Sequence, residues 1–196
     1  MDIKVFVGIG GSGKDFQCNI LGLQGYLKMS LGNPIRAIVA FQLDMTEEDF
    51  MEKYEELKDN RLYIKTETGN TLAVFDGRKL FTGLGEGLKV YLGQKVWVKI
   101  LQDKLVTAQS HKANKICIQD CRLWYELEFF LKLGAEVRFT NYKSSRYYLS
   151  DNPTVTEHLA TWFVKNGYEH MQIITKKDLE LYKADMESGF IELPID

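Results

Sequence analysis

Short apolar runs alternate with longer amphipathic segments along the chain. Residues 3–8 (IKVFVG) are rich in β-branched and aromatic residues and end at glycine, which predicts a buried strand. Leucines spaced between positions 21 and 31 predict a helix from Lys14 to Leu31, stopped by Gly32-Asn33-Pro34. The apolar run 35–41 (IRAIVAF) then predicts a second buried strand.

The middle of the chain has different periodicities. Thr46, followed by acidic residues, is a good N-cap and predicts a helix to about Leu57. Residues 61–66 and 71–75 alternate around a Thr-Gly-Asn turn and predict a β-hairpin. Residues 78–106 are predicted to be mainly helical, although their glycines either break the segment or allow a ligand to approach the backbone.

The C-terminal part returns to short strands that alternate with helices. The predicted elements are a strand over 115–119 ending at Asp120, a helix over 123–133, a strand over 135–140, a polar loop over 141–153, a helix over 154–165, a strand over 171–174 and a helix over 176–187. Alternation of this kind implies a parallel sheet covered on both faces. We therefore predict one α/β domain over residues 1–196, with three layers and a mainly parallel five-stranded sheet.

Composition narrows the function classes. Hydrophobic residues make up 45% of the chain and charged residues 27%, which is ordinary for a soluble globular protein. The net charge of −2 and the lack of a dense Lys/Arg run give no support for binding nucleic acid or a membrane. The apolar runs are far shorter than the ~20 residues that cross a bilayer, and the N-terminus does not resemble a signal peptide. We expect a cytoplasmic protein, with buried thiols and without a zinc cluster.

A glycine-rich motif lies between the first predicted strand and helix. Residues 8–14 (GIGGSGK) fit the pattern GxxxxGK. Glycines let successive backbone N–H groups surround a phosphate, and Lys14 would place its charge on the β- and γ-phosphates of a nucleotide. The alternative is a tight glycine turn that binds nothing. The predicted ATP-binding residues are Gly10, Gly11, Ser12, Gly13, Lys14, Asp15 and Phe16.

Two acidic residues are candidates for handling Mg²⁺. Asp15 occupies the position where this motif usually has Ser or Thr, so it either excludes ordinary nucleotide binding or marks a subfamily with acidic metal handling. Asp120 ends a predicted strand, where ligands bind in open parallel sheets, and would hold Mg²⁺ through water or grip the acceptor. The nearby Arg122 would neutralise the transferring phosphoryl group. The alternative is an Asp N-cap with a solvated arginine.

These motifs resemble those of a known family. Gly11 to Asp15 (GSGKD) is similar to the loop of phage-type deoxynucleoside monophosphate kinases, and animal-type phosphomevalonate kinases have a similar SGKD loop. Residues 77–85 and the later Trp97-Val98 resemble the first family's "GR-x-LLQ-x-x-G … WV" segment. Residues 120–126 resemble its "DVRFPNE", with Trp124-Tyr125 replacing Pro-Asn. Residues 42–76 match neither pattern.

The resemblance implies a P-loop NTPase fold that transfers the ATP γ-phosphoryl group to a deoxynucleoside monophosphate with Mg²⁺. An insertion over about 42–106 would bind the acceptor. In it Arg78 would hold the acceptor phosphate with help from Lys89, and Trp97 would pack in the core or stack on a base. Glu126 would face the acceptor, orient an arginine or be a solvated helix carboxylate. With Asp120 and Arg122, these residues form the predicted acceptor site.

The polar loop 141–153 is the predicted lid. In this fold class such a loop closes over the phosphates and excludes water, which would otherwise accept the phosphoryl group. Arg146 would meet the β- and γ-phosphates there, completing a catalytic set with Lys14 and Arg122. The alternative is a surface loop whose basic residues aid solubility.

Two other functions stay open at this point. One is a kinase of another small phosphorylated acceptor, such as phosphomevalonate. The other is a nucleotide-dependent switch that signals by a shape change without kinase turnover. A homodimer is compatible with either function. If the protein is phage-encoded, the expected location is the host cytoplasm.

Overall fold

A five-stranded, mostly parallel sheet organises the computed structural model, which describes residues 1–53, 61–65, 68–142 and 158–189. The strands are β1 Asp2–Val7, β2 Leu27–Met29, β3 Arg61–Lys65, β4 Thr71–Asp76, β5 Lys115–Cys121, β6 Glu136–Phe139 and β7 Ile173–Ile174. The sheet order is β2-β5-β1-β6-β7. Within this five-stranded sheet, β6 pairs with β7 antiparallel, and the other pairings are parallel. The predicted α/β class with a mainly parallel sheet is confirmed.

Helices separate most of the strands along the chain. They are α1 Lys14–Leu23, α2 Asn33–Gln42, α3 Glu47–Glu52, α4 Gly77–Leu92, α5 Val96–Ser110, α6 Trp124–Lys132, α7 His158–Lys165 and α8 Lys176–Glu187. Across the described parts of the chain, none of the helices has the length and apolar character needed to span a bilayer.

The chain forms two compact units. The first contains Met1–Leu31 and Leu101–Asp196, and the second contains Gly32–Ile100. The five-stranded sheet belongs to the first unit, and a hairpin of β3 and β4 belongs to the second. The predicted insertion over 42–106 overlaps the second unit, and its role in acceptor binding stays a prediction.

The core of the first unit is the centre of its sheet. Val5 of β1 lies opposite Ile118 of β5 and Val137 of β6, and all three side chains are completely buried. The part of a strand that is covered on both faces is apolar, which explains the run Val5-Phe6-Val7 at the end of β1. Helix α1 packs against β5, where Cys18 joins a buried cluster with Phe6 and Cys117.

The second unit has a separate small core. Val39 and Ala40 of α2 are buried together with Phe50 of α3, and α4 packs against α2. Phe50 contacts Phe81 of α4 edge to face, with ring centroids 6.0 Å apart. Thr46 is the N-cap of α3 as predicted, and its hydroxyl oxygen accepts the Asp49 N–H at 3.1 Å, but the helix ends at Glu52, short of the predicted Leu57.

The predicted helix from Lys14 to Leu31 is wrong in its second half. Helix α1 ends at Leu23, and residues 27–29 form strand β2 beside β5 instead. Gly25 has φ +83° and ends the helix, since few other residues adopt this left-handed conformation. Leu23 is 91% exposed, so the leucines do not form one apolar side.

The strand predicted over 35–41 is also wrong, because these residues lie in helix α2. A short continuous apolar run does not distinguish a buried strand from a buried helix. Pro34 lies in the first turn of α2, where its missing N–H costs nothing, so the Gly-Asn-Pro sequence starts a helix rather than ending one.

Most other predicted elements are confirmed where the structure describes them. Strands β3 and β4 form the predicted antiparallel hairpin. The segment predicted as helical over 78–106 forms α4 and α5, separated near Gly93, which has φ +91°. The predicted lid lies outside the described residues beyond Tyr142.

An ion pair links α6 to α8 and predicts an acid-dependent stability. Glu128 lies 2.7 Å from Lys183 Nζ and 3.0 Å from Lys132 Nζ. Hydrogen bonds from Lys183 and then Lys132 lower the pKa of Glu128 from 4.5 to about 2. Because this pKa is depressed in the folded protein, the stabilisation is present above the unfolded pKa and is lost as the pH falls towards the folded one.

We expect Glu128→Gln to lower the free energy of unfolding by about 1 kcal/mol at neutral pH, a figure that allows for solvent screening. Between pH 4.5 and about 2 the variant should lose less stability than the wild type. Urea denaturation across this range measures both effects. Lys183→Gln removes the main partner and should change the acid dependence in the same way. An acid dependence in Glu128→Gln equal to that of the wild type would contradict the prediction.

Candidate functional site

The glycine motif forms a loop between β1 and α1, as its spacing predicted. Gly11 and Gly13 have φ +73° and +91°, the left-handed region that glycine adopts without strain. Gly13 is the residue before α1, so the loop ends at the positive end of a helix dipole. This is the arrangement in which backbone N–H groups bind an anion.

The start of the loop is packed against the end of β6. A Cβ atom at Gly8 would overlap Ser12 Oγ, the Thr140 backbone oxygen and Thr140 Oγ1. Ser12 Oγ lies 3.0 Å from Thr140 Oγ1, and both residues are completely buried. The Thr140 N–H donates to the Val7 carbonyl at 2.7 Å. The loop therefore has its conformation fixed by a strand far away in the sequence.

Lys14 points back into the loop. Its ammonium donates to the Gly8 carbonyl at 2.7 Å and to the Ile9 carbonyl at 2.6 Å. Ser12 Oγ lies 3.4 Å from the same nitrogen, and the lysine is only 5% exposed. The carbonyl oxygens satisfy the hydrogen bonds of this buried ammonium, and phosphate oxygens offer it the same kind of acceptor.

Asp120 lies at the end of β5 and connects it to the end of β2. Its carboxylate accepts hydrogen bonds from Ser30 Oγ and from the Leu31 N–H, the latter at 2.9 Å. The pairing of β5 with β1 is irregular at this point, because the register shifts between Val5 and Val7. Such irregularities redirect side chains and are frequent beside active sites.

The pKa of the buried Cys121 thiol is affected by three charged residues of the predicted site. Burial raises the pKa of Cys121 well above its usual value. The negative charges of Glu126 and Asp120 raise the pKa further, whereas the positive charge of Lys14 lowers it. Lys14, Asp120 and Glu126 therefore all lie within electrostatic range of this thiol.

Two other predicted site residues of the segment 120–126, Glu126 and Arg122, have different environments. Glu126 is 4% exposed, and its Oε2 accepts the Arg122 N–H at 2.8 Å and the Leu123 N–H at 2.9 Å. These contacts cap helix α6, and the solvated carboxylate that the sequence left open is not observed. The Arg122 side chain is exposed, and its roles in catalysis and acceptor binding stay predictions.

The predicted metal ligands fit Mg²⁺ in chemistry. The described residues contain no group of three or more His, Cys, Asp or Glu side chains that could hold a metal ion. Mg²⁺ usually takes only one or two protein carboxylates and completes its shell with phosphate oxygens and water. Asp15 is exposed in the first turn of α1, and Asp120 is held by two donors. Phe16, the predicted ATP-binding residue that follows Asp15, is 60% exposed.

Three predicted acceptor residues lie in the second unit. Arg78 is in the first turn of α4. Lys89, later in this helix, is 5% exposed and lies 2.6 Å from Glu86 Oε1. Trp97 is 5% exposed, and its Nε1–H donates to the Gly85 carbonyl at 3.2 Å. Of the two alternatives that the sequence left open, core packing and base stacking, this is the core position. Arg146 lies outside the described residues.

Sequence reasoning missed two residues that build the site. Thr140 was noted only as the end of a predicted strand, although a hydroxyl residue at that end of a sheet is a signal that could have pointed to the loop. Ser30 was placed inside a predicted helix, so its position beside Asp120 was hidden.

Comparison with protein-family models and with curated proteins finds no match to this chain.

The packing at Gly8 leads to a stability prediction. Gly8→Ala should lower the free energy of unfolding by about 1–3 kcal/mol, because the added methyl group overlaps backbone as well as side-chain atoms. Urea denaturation measures this change. The matched control is Gly83→Ala in α4, where the added Cβ has no neighbour within 4 Å. The control should be neutral or stabilising by up to about 1 kcal/mol. Equal stability of the two variants would contradict the packing described here.

Proposed function

We propose that the protein is a P-loop kinase that transfers the γ-phosphoryl group of ATP to a deoxynucleoside monophosphate, giving the diphosphate. One observation supports this most strongly. The GxxxxGK loop joins a central parallel strand to a helix, with its lysine in the loop and Asp120 at the end of the neighbouring strand. Parallel sheets bind ligands beyond the carboxyl ends of their strands.

The loop has the chemistry needed for the donor. Gly11 and Gly13 turn the backbone so that N–H groups can face a phosphate, and the N-terminus of α1 adds a positive dipole end. Lys14 already has an oxygen environment in the Gly8 and Ile9 carbonyls. In the proposed reaction it exchanges these carbonyls for β- and γ-phosphate oxygens and neutralises their charge.

Mg²⁺ is the proposed cofactor, with Asp15 and Asp120 as its protein ligands, directly or through water. When bound, the ion neutralises phosphate charge during transfer. The donors of Ser30 and Leu31 orient the Asp120 carboxylate. Second contacts of this kind are common at metal ligands. The exposed Asp15 replaces the usual hydroxyl residue of the motif.

The chain's own residues position the two substrates. The acceptor phosphate is itself an anionic nucleophile, so in-line transfer needs neither a covalent intermediate nor a strong general base. Arg122 neutralises the transferring group, Arg146 acts from the lid, and Arg78 and Lys89 hold the acceptor. A nucleotide acceptor is favoured over phosphomevalonate by the resemblance of residues 77–85 and 120–126 to the nucleotide enzymes.

The proposal predicts a large effect at one residue. Lys14→Ala should lower turnover by at least ~10²-fold, which corresponds to about 2.7 kcal/mol of transition-state stabilisation. A coupled assay of ADP formation measures the effect. The control is Lys104→Ala, which removes an exposed lysine on α5 and should leave turnover unchanged. Near-normal activity of a folded Lys14→Ala variant would rule out the proposed mechanism.

The acceptor class is tested with a panel of substrates. We expect ADP formation from Mg²⁺-ATP to depend on one or a few deoxynucleoside monophosphates, since the proposed site binds a nucleotide. The measurement uses each common deoxynucleoside and ribonucleoside monophosphate separately, and then phosphomevalonate. Turnover with phosphomevalonate alone would keep the chemistry and replace the substrate. ATP binding without acceptor-dependent turnover would favour the switch function.

A further inference from the structure

Tyr142, at the start of the predicted lid loop, and His170 form an exposed aromatic pair that has no part in the reaction proposed above. The rings of Tyr142 and His170 meet edge to face, with centroids 5.5 Å apart and an interplanar angle of 85°. Tyr142 is 55% exposed, and His170 is exposed as well. Most aromatic contacts in the first unit involve buried rings, such as Phe139 with Phe163. This pair therefore presents aromatic surface to solvent without contributing to the core.

The pair is attached directly to the glycine loop. The Tyr142 N–H donates to the Ser12 carbonyl at 3.3 Å. A Cβ atom at Gly13 would lie 3.8 Å from Tyr142 Cβ, which is ordinary van der Waals contact. The tyrosine thus stands beside the residue at which the loop becomes α1. A ligand with phosphates in the loop and a flat ring attached to them would have this aromatic surface within reach.

His170 is held in one orientation and one tautomer. The Asn141 N–H donates to His170 Nδ1 at 3.1 Å, so Nδ1 acts as an acceptor and the proton of the neutral ring is on Nε2. The turn that bears it is tightly bonded, since the Glu169 N–H donates to Gln172 Oε1 at 2.9 Å. The Met171 N–H donates to the Phe139 carbonyl at 2.6 Å.

The same turn stores backbone strain. Met171 has φ +65°, which is uncommon for a residue with a side chain. Strained conformations persist where the surroundings over-determine them, and they concentrate at binding sites. Here the Met171 side chain packs against the buried cluster of Phe6, Cys18 and Cys117, which anchors the turn beneath α1. The packing of Met171 therefore holds the turn that carries His170 in place without a ligand.

We propose that Tyr142 and His170 bind the nucleobase of the nucleotide whose phosphates lie in the glycine loop. This inference rests on the proposed function and deepens it. The base stacks on the exposed Tyr142 ring, and His170 Nε2–H donates to a ring nitrogen or carbonyl of the base. Neither side chain is a cation when histidine is neutral, so the pair suits a flat heteroaromatic ring better than a phosphate group.

Binding measurements with matched probes test the assignment. Isothermal titration calorimetry would compare Mg²⁺-ATP with Mg²⁺-tripolyphosphate, which has the phosphates without a base, and with a deoxynucleoside monophosphate. The variants are Tyr142→Leu, which removes the ring, Tyr142→Phe, which keeps it, and His170→Ala. Thermal unfolding of each variant shows that it is folded. Tyr142 keeps its backbone bond to Ser12 in both substitutions.

We expect Tyr142→Leu to raise the Kd for ATP about tenfold, which is a typical effect of removing an aromatic side chain on which one base stacks. Its Kd for tripolyphosphate should stay unchanged, and Tyr142→Phe should bind ATP like the wild type. His170→Ala should fall between the two Tyr142 variants for ATP.

Three results would overturn the inference while leaving the kinase function intact. The first is an unchanged Kd for ATP in Tyr142→Leu, and the second is an equal loss of affinity for ATP and tripolyphosphate in that variant. The third is a loss of affinity for the monophosphate alone, which would assign the aromatic pair to the base of the acceptor. If wild-type protein bound neither ATP nor tripolyphosphate, the proposed function itself would fail, and this inference with it.

Discussion

The contact between Gly8, Ser12 and Thr140 is the constraint on which the site depends. A loop rich in glycine has little conformational preference of its own, so something else must select its shape. Here the end of β6 does so, because Thr140 occupies the space that a side chain at Gly8 would fill and meets the Ser12 hydroxyl at 3.0 Å. The order of strands in the sheet places β6 beside β1 and makes this contact possible.

Strand β5, which lies on the other side of β1 from β6, supplies the negative charge of the site. Strand β5 departs from regular pairing near Asp120, whose carboxylate then reaches the end of β2. The charges of Lys14, Asp120 and Glu126 all act on the pKa of the buried Cys121 thiol. Lys14 and Glu126 are buried, and water screens buried charges less than it does charges at the surface. The positive loop and the acidic strand end are therefore fixed on adjacent strands.

Local signals in the sequence were sufficient for part of this arrangement. The strand–loop–helix around Lys14 and the strand that ends near Asp120 follow from short-range patterns of glycine and apolar residues. The predictions failed where a pattern was ambiguous. The run 35–41 suits a buried helix as well as a strand, and the leucines after Gly25 suggested a helix that this glycine ends.

Contacts between distant residues were beyond sequence reasoning. Ser12 and Thr140 meet because two strands are neighbours, and the only local signal of the pair is a hydroxyl residue at the end of a predicted strand. The donors to Asp120 were hidden by the misplaced helix that covered Ser30. The edge-to-face pair of Tyr142 and His170 likewise joins two segments separated by a helix. A single sequence specifies its elements more clearly than their partners.

The division of the chain has a consequence for its synthesis. Strand β1 leaves the ribosome before the second unit, and both of its partners, β5 and β6, follow that unit in the sequence. Until Lys115 and the residues after it emerge, the apolar β1 has no neighbouring strand to pair with. Unpaired apolar strands associate with one another, and non-local pairing is slow. The nascent chain is thus most vulnerable to aggregation while residues 32–100 are being translated, and slower translation of that stretch would lengthen the exposure.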